Sequence, residues 1–274
     1  MPELRRDPIV GRWVVVNTEN PTLPTEFNIK PFEWKGKDKC PFCYGHEHLT
    51  PPEIEAISED GRAPNTPGWR VRVVPNKFPA LMIEGDLDKS GVGLYDISNG
   101  VGAHEVIIDS PDHFKGLSDL DDKQVEYVIK AYRSRSLDLR KDRRFKYILI
   151  FKNVGAQAGA SLEHNHSQLI ALPMVPKNVK DEVKGSHYYY EFRGRCIFCD
   201  IMEYELDVEK RVVLETDNFL AFCPLSSRFS FEVWIIPKKH LIDFGAITDD
   251  EITALSKVMK DVIGRLKKVL GDHP

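Results

Sequence analysis

The chain has 274 residues, of which 42% are hydrophobic and 29% are charged, and its formal net charge at pH 7 is −4. This length allows one large domain or two modest ones. The slightly acidic balance excludes a general electrostatic attraction to nucleic acid or anionic membranes, and no apolar run reaches the length of a membrane span.

Five cysteines occur, and four of them form two Cys-x-x-Cys pairs, Cys40–Cys43 and Cys196–Cys199. Two such pairs far apart in sequence favour two metal sites over a disulfide framework, which a chain of this size does not need. A redox pair is the alternative, but no thioredoxin-like βαβ pattern surrounds either pair. Each site needs two further ligands, and histidine is the obvious source. Reduced cysteines and a start without an apolar signal region, Met1–Arg6, predict a cytoplasmic protein.

Each cysteine pair opens a similar series of elements. The first series has predicted strands at 69–74 and 104–108, a Pro–His turn at 110–113 and a helix that begins at 118–121. The second has predicted strands at 211–214, 219–222 and 231–236, a Pro–His turn at 237–240 and a capping box at 248–251. Apolar residues at helical spacing from Val125 and from Ile252 predict core-facing helix stripes. We therefore predict an α+β fold with mainly antiparallel sheets and packed helices, divided into modules 1–185 and 186–274.

After the first helix, a strand is predicted at 145–151, then a turn of small residues, then a strand from His164 to Leu172. Alternate residues of a strand share a face, so His164, His166 and Gln168 are expected side by side. An imidazole can bind a metal or act as a nucleophile, and a primary amide can donate to a phosphoryl oxygen. A surface strand with two solvated histidines is the less informative interpretation.

The spacing also predicts an incomplete second module. His164 follows His113 by 51 residues, and the same step from His240 falls beyond Pro274. We therefore expect the chain to be a fragment or a naturally shortened form.

Three ordered motifs carry a resemblance to a known family. They are Cys40-Pro41-Phe42-Cys43, Ser110-Pro111-Asp112-His113 and Ser161-x-x-His164-x-His166-x-Gln168. Together they resemble the galactose-1-phosphate uridylyltransferase family of the histidine-triad superfamily, and segments 5–14 and 69–81 look like its first strand and its nucleotide-pocket segment. The second half is similar to histidine-triad modules in general, so the resemblance implies two tandem histidine-triad-like modules.

The resemblance implies roles for individual residues. A zinc would be held by Cys40, Cys43, His113 and His164. His166 would be the nucleophile, and Gln168 and Ser161 would contact the transferred phosphoryl group. The nucleotide would be bound by Asn153, Asn76, Lys77, Phe78 and Phe42. Cys196, Cys199 and His240 would begin a second metal site that lacks its fourth ligand. His46 and His48, close to the first cysteine pair, are alternative ligands.

The implied reaction exchanges a nucleoside monophosphate between a UDP-hexose and a hexose 1-phosphate, and the implied assembly is a homodimer. Two departures leave alternatives open. Residues 17–27 lack the arginines that usually bind the diphosphate, so either Arg12, Arg72 or Lys77 supplies the charge or the diphosphate binds weakly. The stretch Leu162–His166 looks more like a subgroup that transfers adenylyl groups from ADP-glucose. An ADP-sugar phosphorylase and a nucleotide-binding module without turnover are therefore the alternatives.

Overall fold

The computed structural model describes residues 1–27 and 36–271. The strands in chain order are β1 (Glu3–Arg6), β2 (Trp13–Val16), β3 (Glu55–Ile57), β4 (Val71–Pro75), β5 (Ser90–Val92), β6 (Tyr95–Ile97), β7 (Ala103–Ile108), β8 (Tyr147–Phe151), β9 (His166–Leu172), β10 (Val212–Glu215), β11 (Phe219–Phe222) and β12 (Trp234–Pro237). The α-helices are α1 (Asp122–Leu139), α2 (Lys177–Arg193), α3 (Ile197–Val208) and α4 (Asp249–Val269). All paired strands are antiparallel, which confirms the predicted α+β class.

The chain divides into two compact units, one of residues 32–175 and the other of residues 1–31 with 176–273. The first unit contains a five-stranded sheet of order β3-β4-β7-β9-β8 and the hairpin β5-β6. The second contains the hairpin β1-β2 and a three-stranded sheet of order β10-β11-β12. The predicted modules 1–185 and 186–274 follow from the sequence repeat, whereas these two units are defined by compactness. The boundary between the modules at 185/186 therefore stays a prediction.

The two faces of the five-stranded sheet bury different sets of side chains. One face packs on α1 through an aliphatic core that includes Val73, Ile107, Leu169 and Val128. The opposite face buries Val74, Val106 and Ile108 together with Trp69, Phe42 and the first cysteine pair. Because the strand repeat is two residues, β9 presents Leu169 to α1 and His166 and Gln168 to the opposite face. The site is therefore built on the sheet face away from the helix.

Local signals explain the helix starts. Asp121 precedes α1, and its carboxylate accepts a hydrogen bond from the Gln124 amide. The predicted capping box before α4 is confirmed, because Thr248 and Glu251 exchange side-chain to backbone hydrogen bonds. The sequence patterns do not predict helix α2, which contains His187. None of the residues of α2 is fully buried, so it has no strong apolar stripe to reveal it.

Within residues 1–27 and 36–271, none of the helices combines the length and the apolar character that crossing a membrane requires.

Candidate functional site

Four metal-binding side chains meet at one point of the five-stranded unit. The donor atoms of Cys40, Cys43, His113 and His164 lie within 4.8 Å of one another, and all four residues are buried. We call this set the first cluster. The alternative ligands are not part of it, because His46 Nδ1 lies 2.8 Å from the Cys40 carbonyl and His48 is exposed.

The spacing of these donors fits a tetrahedral metal. Sγ of Cys40 and Sγ of Cys43 lie 3.5 and 3.6 Å from Nδ1 of His164. Sγ of Cys43 lies 3.3 Å from Nδ1 of His113. A zinc with ordinary Zn–S and Zn–N bonds places such donors about 3.6 Å apart at the tetrahedral angle. The residues present therefore fit the metal that this donor set favours.

The outer nitrogens of both histidines are also fixed. Nε2 of His164 donates to the Ser110 carbonyl at 2.8 Å, and Nε2 of His113 lies 2.9 Å from Oε1 of Glu163. When the outer nitrogen carries the proton, the inner Nδ1 is left with a lone pair. Such partners orient imidazole ligands and increase their basicity. Glu163, to which the sequence motifs assign no role, thereby becomes part of the site.

The electrostatics of the first cluster call for a cation. Burial raises the pKa of the Cys43 thiol to about 12, with the neighbouring Cys40 adding to the effect. Burial also raises the pKa of Cys40 and lowers the pKa of His164 to about 4. Two thiolates are therefore unfavourable here without a positive charge, and a divalent metal bound by these residues would supply that charge.

His166 occupies the first position of β9, directly after the first cluster. Its side chain is buried, and its Nδ1 donates to the His164 carbonyl at 2.7 Å, which leaves Nε2 with the lone pair. The Phe42 ring packs edge-on against the His166 ring with centroids 5.3 Å apart. Burial lowers the pKa of His166, which favours the neutral imidazole. The arrangement leaves one oriented ring nitrogen with a lone pair, and an imidazole of this kind can act as a nucleophile.

The structure corrects the predicted length of this strand. It begins at His166 and not at His164, although the Asp109 amide still donates to the Asn165 carbonyl at 3.2 Å. His164 therefore precedes the strand, and the shared face holds His166 and Gln168.

A buried polar network holds β9 from behind. Nζ of Lys152 donates to Asp109 at 2.7 Å and to the His166 carbonyl at 3.0 Å. The Ser167 hydroxyl, on the opposite face of β9, also donates to Asp109, and it contacts the Tyr132 hydroxyl. This network fixes the backbone of His166, and no sequence motif indicates it.

The residues predicted to contact the phosphoryl group lie in two kinds of surroundings. Gln168 is half-buried, with Oε1 2.9 Å from Nε2 of His104. Ser161 is exposed. Asn153 lies at the start of the small-residue turn, where Gly155 and Gly159 have φ angles of 80° and 87° that favour glycine. The contacts of Gln168 and Ser161 with a phosphoryl group, and that of Asn153 with the nucleotide, stay predictions.

The predicted nucleotide segment follows β4. Asn76 Oδ1 accepts the Phe78 amide at 2.9 Å, and the side chains of Lys77 and Phe78 are exposed. Phe42 is buried against the histidines, and a contact of its ring with a base stays a prediction.

The prediction that Arg72 binds substrate is wrong for this structure. The Arg72 side chain is fully buried, with Nε 3.0 Å from Glu53 and its other nitrogens bonded to Thr50 and Asn65. Its guanidinium has no exposed surface, and each of its three nitrogens is hydrogen-bonded within the fold, so it offers no surface to a phosphate in this structure. Lys77 is the candidate that remains, since it forms no ion pair within the described part of the chain, whereas Arg12 pairs with Asp7.

The second cysteine pair has a less complete set of donors. Cys196, Cys199 and His240 form a group of three with donor atoms within 4.8 Å, and we call this set the second cluster. Sγ of Cys199 lies 3.3 Å from Nδ1 of His240, and His240 is exposed. No fourth histidine, cysteine or carboxylate joins it among residues 1–27 and 36–271.

Comparisons with known proteins agree with this geometry. The family model described as "Galactose-1-phosphate uridyl transferase, N-terminal domain" matches residues 1–176. The ADP-glucose phosphorylase of Arabidopsis thaliana is 35% identical over 100% of this chain and 76% of its own length. The galactose-1-phosphate uridylyltransferase of Thermotoga maritima is 30% identical over 98% of this chain and 77% of its own length.

Solved structures point to the same family. An ADP-glucose phosphorylase from Arabidopsis thaliana with bound ADP-glucose superposes with a TM-score of 0.80 at 33% identity, covering 99% of this chain and 80% of that one. A uridylyltransferase structure gives a TM-score of 0.74 at 30% identity over 100% and 77% of the two chains. The chain therefore belongs to the galactose-1-phosphate uridylyltransferase family and is a nucleotidyltransferase.

Proposed function

We propose that this protein exchanges a nucleoside monophosphate between a UDP-hexose and a hexose 1-phosphate, through a covalent nucleotidyl intermediate on His166. One observation carries the proposal. The Nε2 atom of His166 is left with its lone pair because Nδ1 donates to the His164 carbonyl, and His164 itself belongs to the first cluster.

The chemistry divides one displacement into two. Nε2 attacks the α-phosphorus of the nucleotide sugar, the N–P bond forms and the bond to the bridging oxygen breaks. The electron pair leaves with that oxygen as a sugar 1-phosphate. A second sugar 1-phosphate then attacks the same phosphorus and returns the electron pair to Nε2. Covalent catalysis of this kind replaces one difficult step by two easier ones.

Donors around the phosphorus lower the barrier. In the proposal, the Gln168 amide and the Ser161 hydroxyl donate to the phosphoryl oxygens, and Lys77 supplies positive charge to the diphosphate. Fixed donors of this type are each worth about 3–4 kcal/mol of transition-state stabilisation.

We propose zinc as the metal of the first cluster, on the basis of its two sulfur and two nitrogen donors. A zinc with four protein ligands is structural and links the segments that carry Cys40, His113 and His164. The same metal is proposed for the second cluster. A reducing cytoplasm would keep all four paired cysteines available as ligands. The homodimer implied by the family resemblance is part of the proposal, and sedimentation equilibrium tests it.

A second candidate is an ADP-sugar phosphorylase or adenylyltransferase that uses the same histidine. The 35% identity with a protein named ADP-glucose phosphorylase favours it, as does the stretch Leu162–His166. In this reaction the base is adenine, and inorganic phosphate can take the place of the second sugar phosphate.

The test is incubation of the purified chain with UDP-glucose or ADP-glucose that carries ³²P at the α-phosphorus. The proposal expects acid-labile label on the protein from UDP-glucose, none in His166→Ala, and release of the label by galactose 1-phosphate. Label from ADP-glucose alone supports the second candidate. Absence of label from either compound, with nucleotide binding measured by calorimetry, contradicts both and leaves a binding module.

A further inference from the structure

His104 contacts the side-chain amide of Gln168, which donates to the phosphoryl group in the proposed reaction. Strands β7 and β9 pair so that Val106 lies opposite Gln168 and Ile108 lies opposite His166. His104, two residues before Val106, is thus on the same sheet face as the nucleophile. Its Nε2 lies 2.9 Å from Oε1 of Gln168, which is the diagonal contact expected between neighbouring antiparallel strands.

The backbone determines which nitrogen of His104 carries the proton. The Ala80 amide donates to Nδ1 at 3.1 Å, and a backbone N–H can only donate. Nδ1 is therefore the acceptor, and the ring proton lies on Nε2. The side-chain nitrogen of Asn76 lies 3.0 Å from the same Nε2, but it is itself a donor and cannot bond to an N–H. Oε1 of Gln168 is then the acceptor for the Nε2 proton.

This hydrogen bond determines the orientation of the Gln168 amide. An amide can turn by 180°, and one orientation presents NH₂ while the other presents the carbonyl oxygen. An oxygen directed at a phosphoryl oxygen is repulsive, whereas NH₂ donates to it. Because Oε1 is bound by His104, the NH₂ group is the end left for a ligand, and no protein acceptor for it occurs among the described residues.

His104 also joins Gln168 to the segment proposed to bind the nucleotide. Its carbonyl accepts the Asn76 amide at 2.8 Å, and its ring accepts the Ala80 amide. The ring thus lies between segment 76–80 and β9.

We propose that His104 is a positioning residue that holds the Gln168 amide with its NH₂ group free to donate to the transferred phosphoryl group. This inference rests on the proposed function. His104 itself touches neither phosphorus nor leaving group.

The first experiment measures the rate of α-³²P label transfer to His166 in His104→Phe, which keeps a ring but loses both nitrogens. We expect this rate to fall about 10- to 100-fold, less than the roughly 100- to 1,000-fold cost of removing a donor outright. In a Gln168→Ala background the same substitution should change the rate by no more than about 2-fold, because coupled residues are not additive. His104→Gln, whose amide can still donate to Gln168, should recover part of the rate. His187→Phe, at an exposed position of α2, serves as the control and should match the unaltered protein.

A second measurement does not depend on activity or on any variant. A long-range ¹H–¹⁵N spectrum of the histidine-labelled protein reports which nitrogen of His104 carries the proton. The proposal requires the Nε2–H form, and the Nδ1–H form overturns it. The melting temperature and zinc content show whether His104→Phe folds. If it does not, this spectrum and the label rate of His104→Gln test the role of His104.

The failures are distinguishable. A His104→Phe protein that labels at the original rate, or that loses as much in the Gln168→Ala background as without it, overturns the role of His104 and leaves the proposed function intact. An unaltered protein that takes no label from any nucleotide sugar overturns the proposed function and this inference with it.

Discussion

The first and second clusters begin from the same sequence motif but have different surroundings. The first has four donors, all buried, and both of its histidines have partners for their outer nitrogens. The second has three donors among the described residues, and its histidine is exposed. In the repeat, His240 corresponds to His113, whereas His164, which lies two positions before the proposed nucleophile His166, has no counterpart among the three donors of the second cluster. A Cys-x-x-Cys pair thus marks a candidate metal site, and the first cluster differs from the second in that the proposed nucleophile lies two residues after one of its donors.

The largest difference is expected when one thiol is removed from each cluster. Cys43→Ala should lose the metal of the first cluster, unfold the surroundings of His166 and reduce label transfer more than about 100-fold, because structural zinc contributes directly to folding. Cys199→Ala should lose the second metal and keep the label rate within about 3-fold. Metal content by mass spectrometry and ³²P transfer measure both. Equal losses of activity in the two variants would remove the distinction between the clusters.

The next prediction concerns the polar network of Lys152, Asp109 and Ser167 that supports β9. Lys152→Met leaves the Asp109 carboxylate, which is fully buried, without its cation. Leaving a buried charge unpaired lowers the free energy of unfolding by about 3–5 kcal/mol. Urea denaturation measures this change. Lys177→Met, which removes an exposed helix pair with Asp181, is the control and should cost less than about 1 kcal/mol.

A third pair of variants separates a structural cation from a ligand-binding one. Arg72→Met should lower the free energy of unfolding by about 2–3 kcal/mol, since hydrogen bonds to a charged group are lost while Glu53 keeps Arg62. Lys77→Met should leave the unfolding free energy unchanged and weaken nucleotide-sugar binding. Urea denaturation and calorimetry measure the two quantities. Weaker binding in a fully stable Arg72→Met would restore Arg72 to the substrate site.

The smallest effect is expected when Glu163, whose carboxylate contacts the outer nitrogen of His113, is replaced. Glu163→Gln weakens the hydrogen bond to the outer nitrogen of His113, and such changes reduce metal affinity about 10- to 100-fold. Competition with a chromophoric chelator should show this loss at one of the two metals. Identical release of both metals in this variant and in the unaltered protein would mean that Glu163 does not support the ligand.

Local motifs predict the parts of the site that lie within a few residues of one another. The cysteine pairs are of this kind, and the capping box of α4 is a comparable local motif of the fold. The sequence also indicates the antiparallel α+β class, because alternating strands and striped helices carry that information directly.

Long-range partners could not be predicted because they depend on sheet register. Glu53 and Arg72 meet only after β4 is covered by the segment that follows the first cysteine pair, so the burial of Arg72 is not visible in the sequence. Lys152 and Asp109 lie 43 positions apart in the sequence. The sequence places His104 only at the start of a predicted strand, and its contact with Gln168 follows from the pairing of β7 with β9. Two strand patterns alone do not specify that pairing.

The central claim is that the nucleotidyl group is bonded to Nε2 of His166. The most direct measurement is ³¹P–¹⁵N correlation spectroscopy of histidine-labelled protein after incubation with the nucleotide sugar, with the modified peptide sequenced by mass spectrometry. We expect one phosphorus–nitrogen bond, located at residue 166 and at Nε2, because Nδ1 donates its proton to the His164 carbonyl. A nucleotidyl group at Nδ1, on another side chain, or absent while turnover proceeds would contradict it.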